Sequence, residues 1–318
     1  MKIYSLITAV LLLSINVIKK TGEHEPELFV SNIISTPGDE FGGTLSPDGK
    51  IFFFSKRAPS TGRSSFLVIC YSTLIDGKWS MPQVAPFSGQ YRDLNPHFSA
   101  DGTKLFFVSN RPVDDKQKID SDIWVVEKTA NGWSEPIHMG ANINSNQLEQ
   151  SCSVTDDGTM YFVSGKDGNS LNVFRSVLVN GVYQPAEMLD SDINTPGNET
   201  DVCIAPDESY LLFTAAGRDD GLLPQRGAQY PRTDIYITYK QNNKWTVPKI
   251  LSEPINSEAD ESSPFISKDG KTLYFGSDRS FVSIPMKKKL VYTELEKQLN
   301  GILNGLGNIW YISTEQLK

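Results

Sequence analysis

Five times along the chain an Asp-centred turn is followed by a short aromatic or aliphatic run, and this repetition restricts the fold more than any other feature. Ser46-Pro47-Asp48-Gly49 leads into Ile51-Phe52-Phe53-Phe54-Ser55, and Ala100-Asp101-Gly102 into Leu105-Phe106-Phe107-Val108-Ser109. The same order returns at Asp156-Asp157-Gly158 with Met160 to Ser164, at Pro206-Asp207-Glu208 with Tyr210 to Thr214, and at Lys268-Asp269-Gly270 with Leu273 to Ser277. The anchoring aspartates are 53, 56, 50 and 62 residues apart. A hairpin turn favours Gly because its backbone is left-handed, and apolar runs this short read as buried strands. A period of this length suits one four-stranded propeller blade.

A third strand follows in each copy, clearest at Ser121 to Val126, Thr233 to Ile237 and Asn308 to Ile312. An outer strand is marked by Trp79-Ser80-Met81-Pro82, Trp133-Ser134-Glu135-Pro136, Tyr183-Gln184-Pro185 and Trp245-Thr246-Val247-Pro248. Proline is tolerated there because an edge strand needs no donor on its open side. The fifth copy lacks its outer strand, whereas Glu27 to Ile34 precedes the first and resembles Ile137 to Asn144 and Ile250 to Asn256. The expectation is an all-β propeller of five blades over residues 27–318, closed by residues 27–34 pairing with 308–314, which leaves no open sheet edge.

Ser46-Pro47-Asp48-Gly49, Ser109-Asn110-Arg111, Ser277-Asp278-Arg279 and Asp234-Ile235-Tyr236 resemble the WD40-like propeller repeats of the TolB type. The linkers Ile193 to Glu199 and Ile255-Asn256-Ser257 further resemble exported and outer-membrane-associated Bacteroidetes proteins, often fused to peptidoglycan-binding domains. The resemblance implies fold and says little of activity, because propellers host unrelated functions. That family usually has six blades, so a six-bladed ring is the alternative to the five copies counted.

Met1-Lys2, an apolar stretch from Ile3 to Ile18 and then Lys19-Lys20 read as an export signal over residues 1–20, cleaved or retained as an anchor. The expected location is periplasmic or outer-membrane-associated, with a membrane reached only through that segment. A formal charge of −8 excludes the basic stripe a nucleic-acid binder needs. Cys70, Cys152 and Cys203 have no paired or metal-ligand spacing and read as buried thiols.

Eight residues before each anchoring Asp stands an acid: Glu40, Asp93, Glu149, Glu199 and Glu261. Nine to eleven residues after it stands a base: Arg57, Arg111, Lys166, Arg218 and Arg279. Both sets are expected near one mouth of the central channel, as structural ion pairs or as a site for a polar ligand or cation. No cofactor is implied, although hard cations such as Ca²⁺ accept oxygen ligands of this kind. The insertions Pro112–Asp120, Asp219–Arg232 and Ser280–Gly307 fall on that face, and in the last one Thr293 and Glu296 form an expected capping box for a helix with an apolar stripe of Leu295, Leu299, Ile302 and Leu303. His24, His97 and His138 are scattered and no nucleophile motif appears. The sequence reading is therefore a monomeric, non-catalytic scaffold for an envelope protein, peptide or glycan. The rival is a glycosidase or lyase using channel-mouth carboxylates.

Overall fold

The computed structural model describes residues 25–317 apart from 60–64, 115, 117, 119, 169, 219–231, 283–285 and 287; the export segment and most of the Asp219–Arg232 insertion lie outside the described residues. Its strands form five antiparallel sheets arranged as the blades of a propeller, five rather than six, and a two-stranded ribbon of Leu178–Val179 with Val182–Tyr183 beside blade 3. The inner, second and third strands are Asp39–Leu45, Ile51–Ala58 and Phe66–Ile75 in blade 1, and Asp93–Phe98, Lys104–Ser109 and Asp122–Thr129 in blade 2. They are Glu149–Val154, Met160–Ser164 and Asn172–Ser176 in blade 3, Asn198–Ile204, Tyr210–Ala216 and Thr233–Gln241 in blade 4, and Glu261–Ile266, Thr272–Ser277 and Asn308–Ser313 in blade 5.

The outer strand of blades 1, 2 and 4 is split into two dipeptides by the expected proline. Lys78–Trp79 and Gln83–Val84 flank Pro82, Gly132–Trp133 and Ile137–His138 flank Pro136, and Lys244–Trp245 and Lys249–Ile250 flank Pro248. Blade 5 takes its fourth strand from the other end of the chain: Glu27–Leu28 pairs antiparallel with Trp310 and Tyr311. The ladder is shorter than residues 27–34 because Val30 and Asn32 adopt left-handed backbone (φ 48° and 65°) and turn the chain away. Contact continues through Phe29 N–H donating to Ile309 O and Ser35 Oγ donating to the same carbonyl.

Each central strand is apolar on both faces because both are covered, and the buried residues separate into five clusters, one between each pair of neighbouring blades. Aromatic residues of the outer strands reach across these seams: Trp133 of blade 2 packs on Phe53 of blade 1, and Trp245 of blade 4 on Tyr161 of blade 3. Cys70, Cys152 and Cys203 are buried free thiols in these clusters, and burial pushes Cys152 up to about 12 and Cys203 to about 11. The turns close as expected, with Gly49, Gly102, Gly158 and Gly270 left-handed. In the fourth turn Glu208 takes this conformation (φ 58°), and its carboxylate is held by Arg175 and Lys240.

The helix of the last insertion spans Tyr292–Leu299 and differs from expectation. Its cap residue is Val291, with no side-chain cap bond, so Thr293 lies inside the first turn and the capping box does not form. Ile302 and Leu303 fall beyond it, and none of its residues is buried. The chain there is taken up by the return to blade 5: Phe281 N–H donates to Leu303 O, and Asn308 Nδ2 to Ile302 O. No helix among the described residues is long and apolar enough to cross a membrane.

Candidate functional site

All five recurring acids lie at the start of an inner strand, and all five are fully buried. They turn into the corner between the inner strand and the linker that precedes it. Ser145 donates to Glu149 through both backbone N–H (3.1 Å) and Oγ (2.7 Å), and Thr36, Thr195 and Ser257 serve Glu40, Glu199 and Glu261 in the same way. Asp93, one methylene shorter, takes Ser88 Oγ instead (2.8 Å). The second strand adds Ser164 Oγ to Glu149 and Ser277 Oγ to Glu261. In the same linkers Asn144, Asn194 and Asn256 accept from Ile123, Val173 and Ile235 N–H at 2.7–2.8 Å, which ties the third strand to the corner.

The bases complete three of these corners. Arg111 pairs with Asp93 (2.8 Å), Arg279 with Glu261 (3.3 Å) and Arg218 with Glu199 (3.9 Å). Each also stacks on aromatic rings, Arg111 on Phe107 and Trp124, Arg218 on Phe213 and Tyr236, Arg279 on Phe275 and Trp310. Lys166 in blade 3 lies over Phe162 and Phe174 and makes no ion pair with Glu149 within 4.0 Å among the described residues. In blade 1 the partner of Glu40 is Lys56 (2.5 Å), while Arg57 extends to Asp39 (2.5 Å) and is 44% exposed. Alternation along a strand explains the difference: Lys56 and Arg57 point to opposite faces.

Burial raises Glu149 and Glu199 to about 7 despite these hydrogen bonds, and raises Glu261 in the same direction. The turn aspartates move oppositely: hydrogen bonds from Ser46, Ser99, Thr155, Ser209 and Ser267 hold Asp48, Asp101, Asp157, Asp207 and Asp269 below 3.8. A raised acid stabilises the fold at low pH, and that contribution is lost as pH rises from 4.5 through about 7. A lowered acid contributes above its unfolded value near 3.8 and loses that contribution below it. Thermal melts should therefore show greatest stability near pH 4–5, falling by roughly 1–3 kcal/mol for each of Glu149 and Glu199 toward pH 8. The Glu149→Gln, Glu199→Gln double variant should flatten the alkaline limb; a limb of unchanged slope would refute the assignment.

The residue before each acid and its partner on the second strand sit at the same end of the blade. These five pairs are Asp39/Arg57, Arg92/Asn110, Leu148/Gly165, Asn198/Ala216 and Asp260/Asp278, and they differ in every blade. With Phe41, Leu94 and the loop Gly305–Gly307 of the last insertion, much of this set lines a cavity of about 400 Å³ at the mouth. Of the ten sequence candidates, only Arg57 and Glu149 border that cavity.

Its floor is a polar hub. Every inner strand shifts register here, and Gly42, Asn95 and Ser263 are left-handed (φ 57°, 50° and 46°). A Cβ on Gly42 would come within 2.4 Å of Asn95 Oδ1. Asp201 accepts from Ser263 N–H (3.1 Å), Thr214 Oγ1 (2.9 Å) and Asn95 Nδ2 (3.4 Å), joining blades 2, 4 and 5; burial raises its carboxyl. Asp201 also borders a small cavity of about 30 Å³ in the channel, shared with Asn95 and His97. Facing that channel, His97 is pushed down to about 4 by burial, and its Nε2 accepts from Val154 N–H. No group of three or more His, Cys, Asp or Glu among the described residues is placed to hold a metal.

Sequence reasoning missed Asp39, Arg92, Asp260, Asp278 and Asp201. The first four stand beside the acids or at their strand partners, and their variation from copy to copy was the available signal. Asp201 carries no repeat signal.

No protein-family model matches the chain, and none of the curated proteins matches its sequence. Solved structures with similar folds include a putative TolB from Agrobacterium tumefaciens, 14% identical, TM-score 0.47, covering 87% of this chain and 91% of that one. The catalytic domain of a GH62 α-L-arabinofuranosidase from Coprinopsis cinerea is 11% identical with TM-score 0.49, over 92% and 98%. A periplasmic gluconolactonase from Pseudomonas aeruginosa is 13% identical with TM-score 0.42, over 74% and 65%. The likeness is one of overall fold, and no sequence match supports the WD40-like family or a Bacteroidetes origin.

Proposed function

We propose that this chain is an exported, non-catalytic propeller that binds an envelope protein, peptide or glycan at the mouth lined by Asp39, Arg57, Arg92, Asp260 and Asp278. One observation carries the reading. The acids that recur in every blade are buried and hydrogen-bonded within blade corners, whereas the charges that differ between blades face the cavity. Repetition serves the scaffold, which needs the same corner in each blade; recognition of an asymmetric partner needs the opposite. Cys70, Cys152, Cys203 and His97 do not line this mouth, and no cofactor enters the reading.

The rival, a glycosidase or lyase, moves from the corner acids to Asp260 and Asp278. Burial, then the charges of Asp260 and Asp39, raise Asp278 above the ordinary carboxylate range, as a general acid requires. Arg92→Ala combined with Asp278→Asn should abolish capture of partners from envelope extract and binding of soluble cell-wall glycan fragments. Its melting temperature should stay within about 3 °C of wild type, since both groups are partly exposed. Retained capture would sink the proposal, and glycan cleavage lost in Asp278→Asn alone would establish the enzyme.

A further inference from the structure

The charges at the mouth are sorted, not mixed. On the blade 2 side, Arg92 is half-buried, with its backbone N–H fixed by Asn110 Oδ1 (2.9 Å). Its guanidinium meets only Ser121 Oγ at 3.5 Å, and no carboxylate lies within 4.0 Å of it among the described residues. The neighbouring Arg57 adds a second positive charge. On the blade 5 side, Asp260 Oδ1 accepts from Thr233 N–H and Asp278 Oδ1 from Asp260 N–H. Neither carboxylate has a cation within 4.0 Å among the described residues, and Asp39 adds further negative charge. The Asp39–Arg57 ion pair of blade 1 stands between the two poles, its Arg57 acting on Arg92 and its Asp39 on Asp278.

A half-buried guanidinium beside another cation has donors to spare, and a planar carboxylate fills them in bidentate fashion. Two adjacent carboxylates without a base repel one another until an ammonium enters. An inorganic anion would meet the acidic pole and a metal ion the basic one, so the ligand must carry both charges. Phe41, Leu94 and Leu306 supply apolar contact within the same cavity, whose 400 Å³ suits a small molecule.

We infer that the mouth binds a short peptide with free termini, its carboxylate on Arg92 and its ammonium on Asp260 and Asp278. This rests on the reading of the mouth as the binding face. It narrows the ligand to a zwitterion.

Titration calorimetry on the full chain should compare the dipeptide Ala-Phe with its N-acetylated and C-amidated forms. The free dipeptide is expected to bind saturably, and each capped form at least tenfold more weakly. Arg92→Gln should lose discrimination against the amide while keeping it against the acetylated form, and Asp278→Asn should do the reverse. Circular dichroism establishes that both variants are folded. Equal binding of all three probes, or no binding of Ala-Phe at millimolar concentration, would overturn the inference. If the Arg92→Ala, Asp278→Asn variant loses its envelope partner while no dipeptide binds, the binding face stands and the zwitterion falls. If the variant keeps its partner, the binding face falls too.

Discussion

Removal of residues 25–36 is expected to unfold the ring, because this segment supplies both the fourth strand of blade 5 and the seal between blades 5 and 1. Phe29 sits among Phe52, Trp79, Tyr274 and Tyr311, with ring centroids 4.7–6.0 Å away, and Ile34 is fully buried. Losing one large buried side chain costs about 2–5 kcal/mol. Losing both approaches the whole stability of an ordinary domain, about 5–15 kcal/mol. The truncation also bares the edge of Asn308–Ser313, and an open apolar edge invites association. Phe29→Ala alone should lower the melting temperature by about 4–20 °C, at roughly 2–4 °C per kcal/mol for a domain this large. The truncated chain should lose its cooperative transition or aggregate. Unchanged melting of either protein, followed by circular dichroism, would show that the ring is held without its N-terminal strand.

The second large effect is expected at the blade corners. Glu149→Ala strips partners from Ser145 N–H, Ser145 Oγ and Ser164 Oγ, and Glu199→Ala does the same at Thr195 and removes the carboxylate 3.9 Å from Arg218. Buried donors left unpaired cost about 1–3 kcal/mol, and removing one member of a buried ion pair can cost more. Each variant should therefore lose about 1–4 kcal/mol, visible as a fall of about 2–16 °C in melting temperature. Glu149→Gln should restore most of the loss, because the amide oxygen can still accept from Ser145 and Ser164, and a carboxyl pushed up to about 7 is already about half neutral near neutral pH. Melts run with EDTA and with added Ca²⁺ should coincide. A wild-type transition that rises with calcium while the alanine variants do not respond would instead make these acids a cation site.

What could be read from the sequence alone is what recurs. The Asp-Gly turns, the apolar strands after them and the split outer strands at Pro82, Pro136 and Pro248 depend on a few neighbouring residues. The same local physics therefore acts in every copy, and five copies yield five blades. The buried acids were visible for the same reason, since each corner needs one group to accept from its linker.

Other features depended on tertiary context. Glu40 taking Lys56 rather than Arg57 turns on a single step of strand alternation, and the same step separates buried Asp93 from cavity-lining Arg92. The helix starts at Tyr292 after Val291, so the local cap signal at Thr293 is not used. Asp201 has no counterpart elsewhere in the repeat. It became a hub only because the closed ring brings Asn95, Thr214 and Ser263 to one point, although Asn95 lies 106 residues away and Ser263 lies 62. Repeated contacts are local and leave a period in the sequence; the mouth is assembled from one different residue per blade, so only closure of the ring defines it.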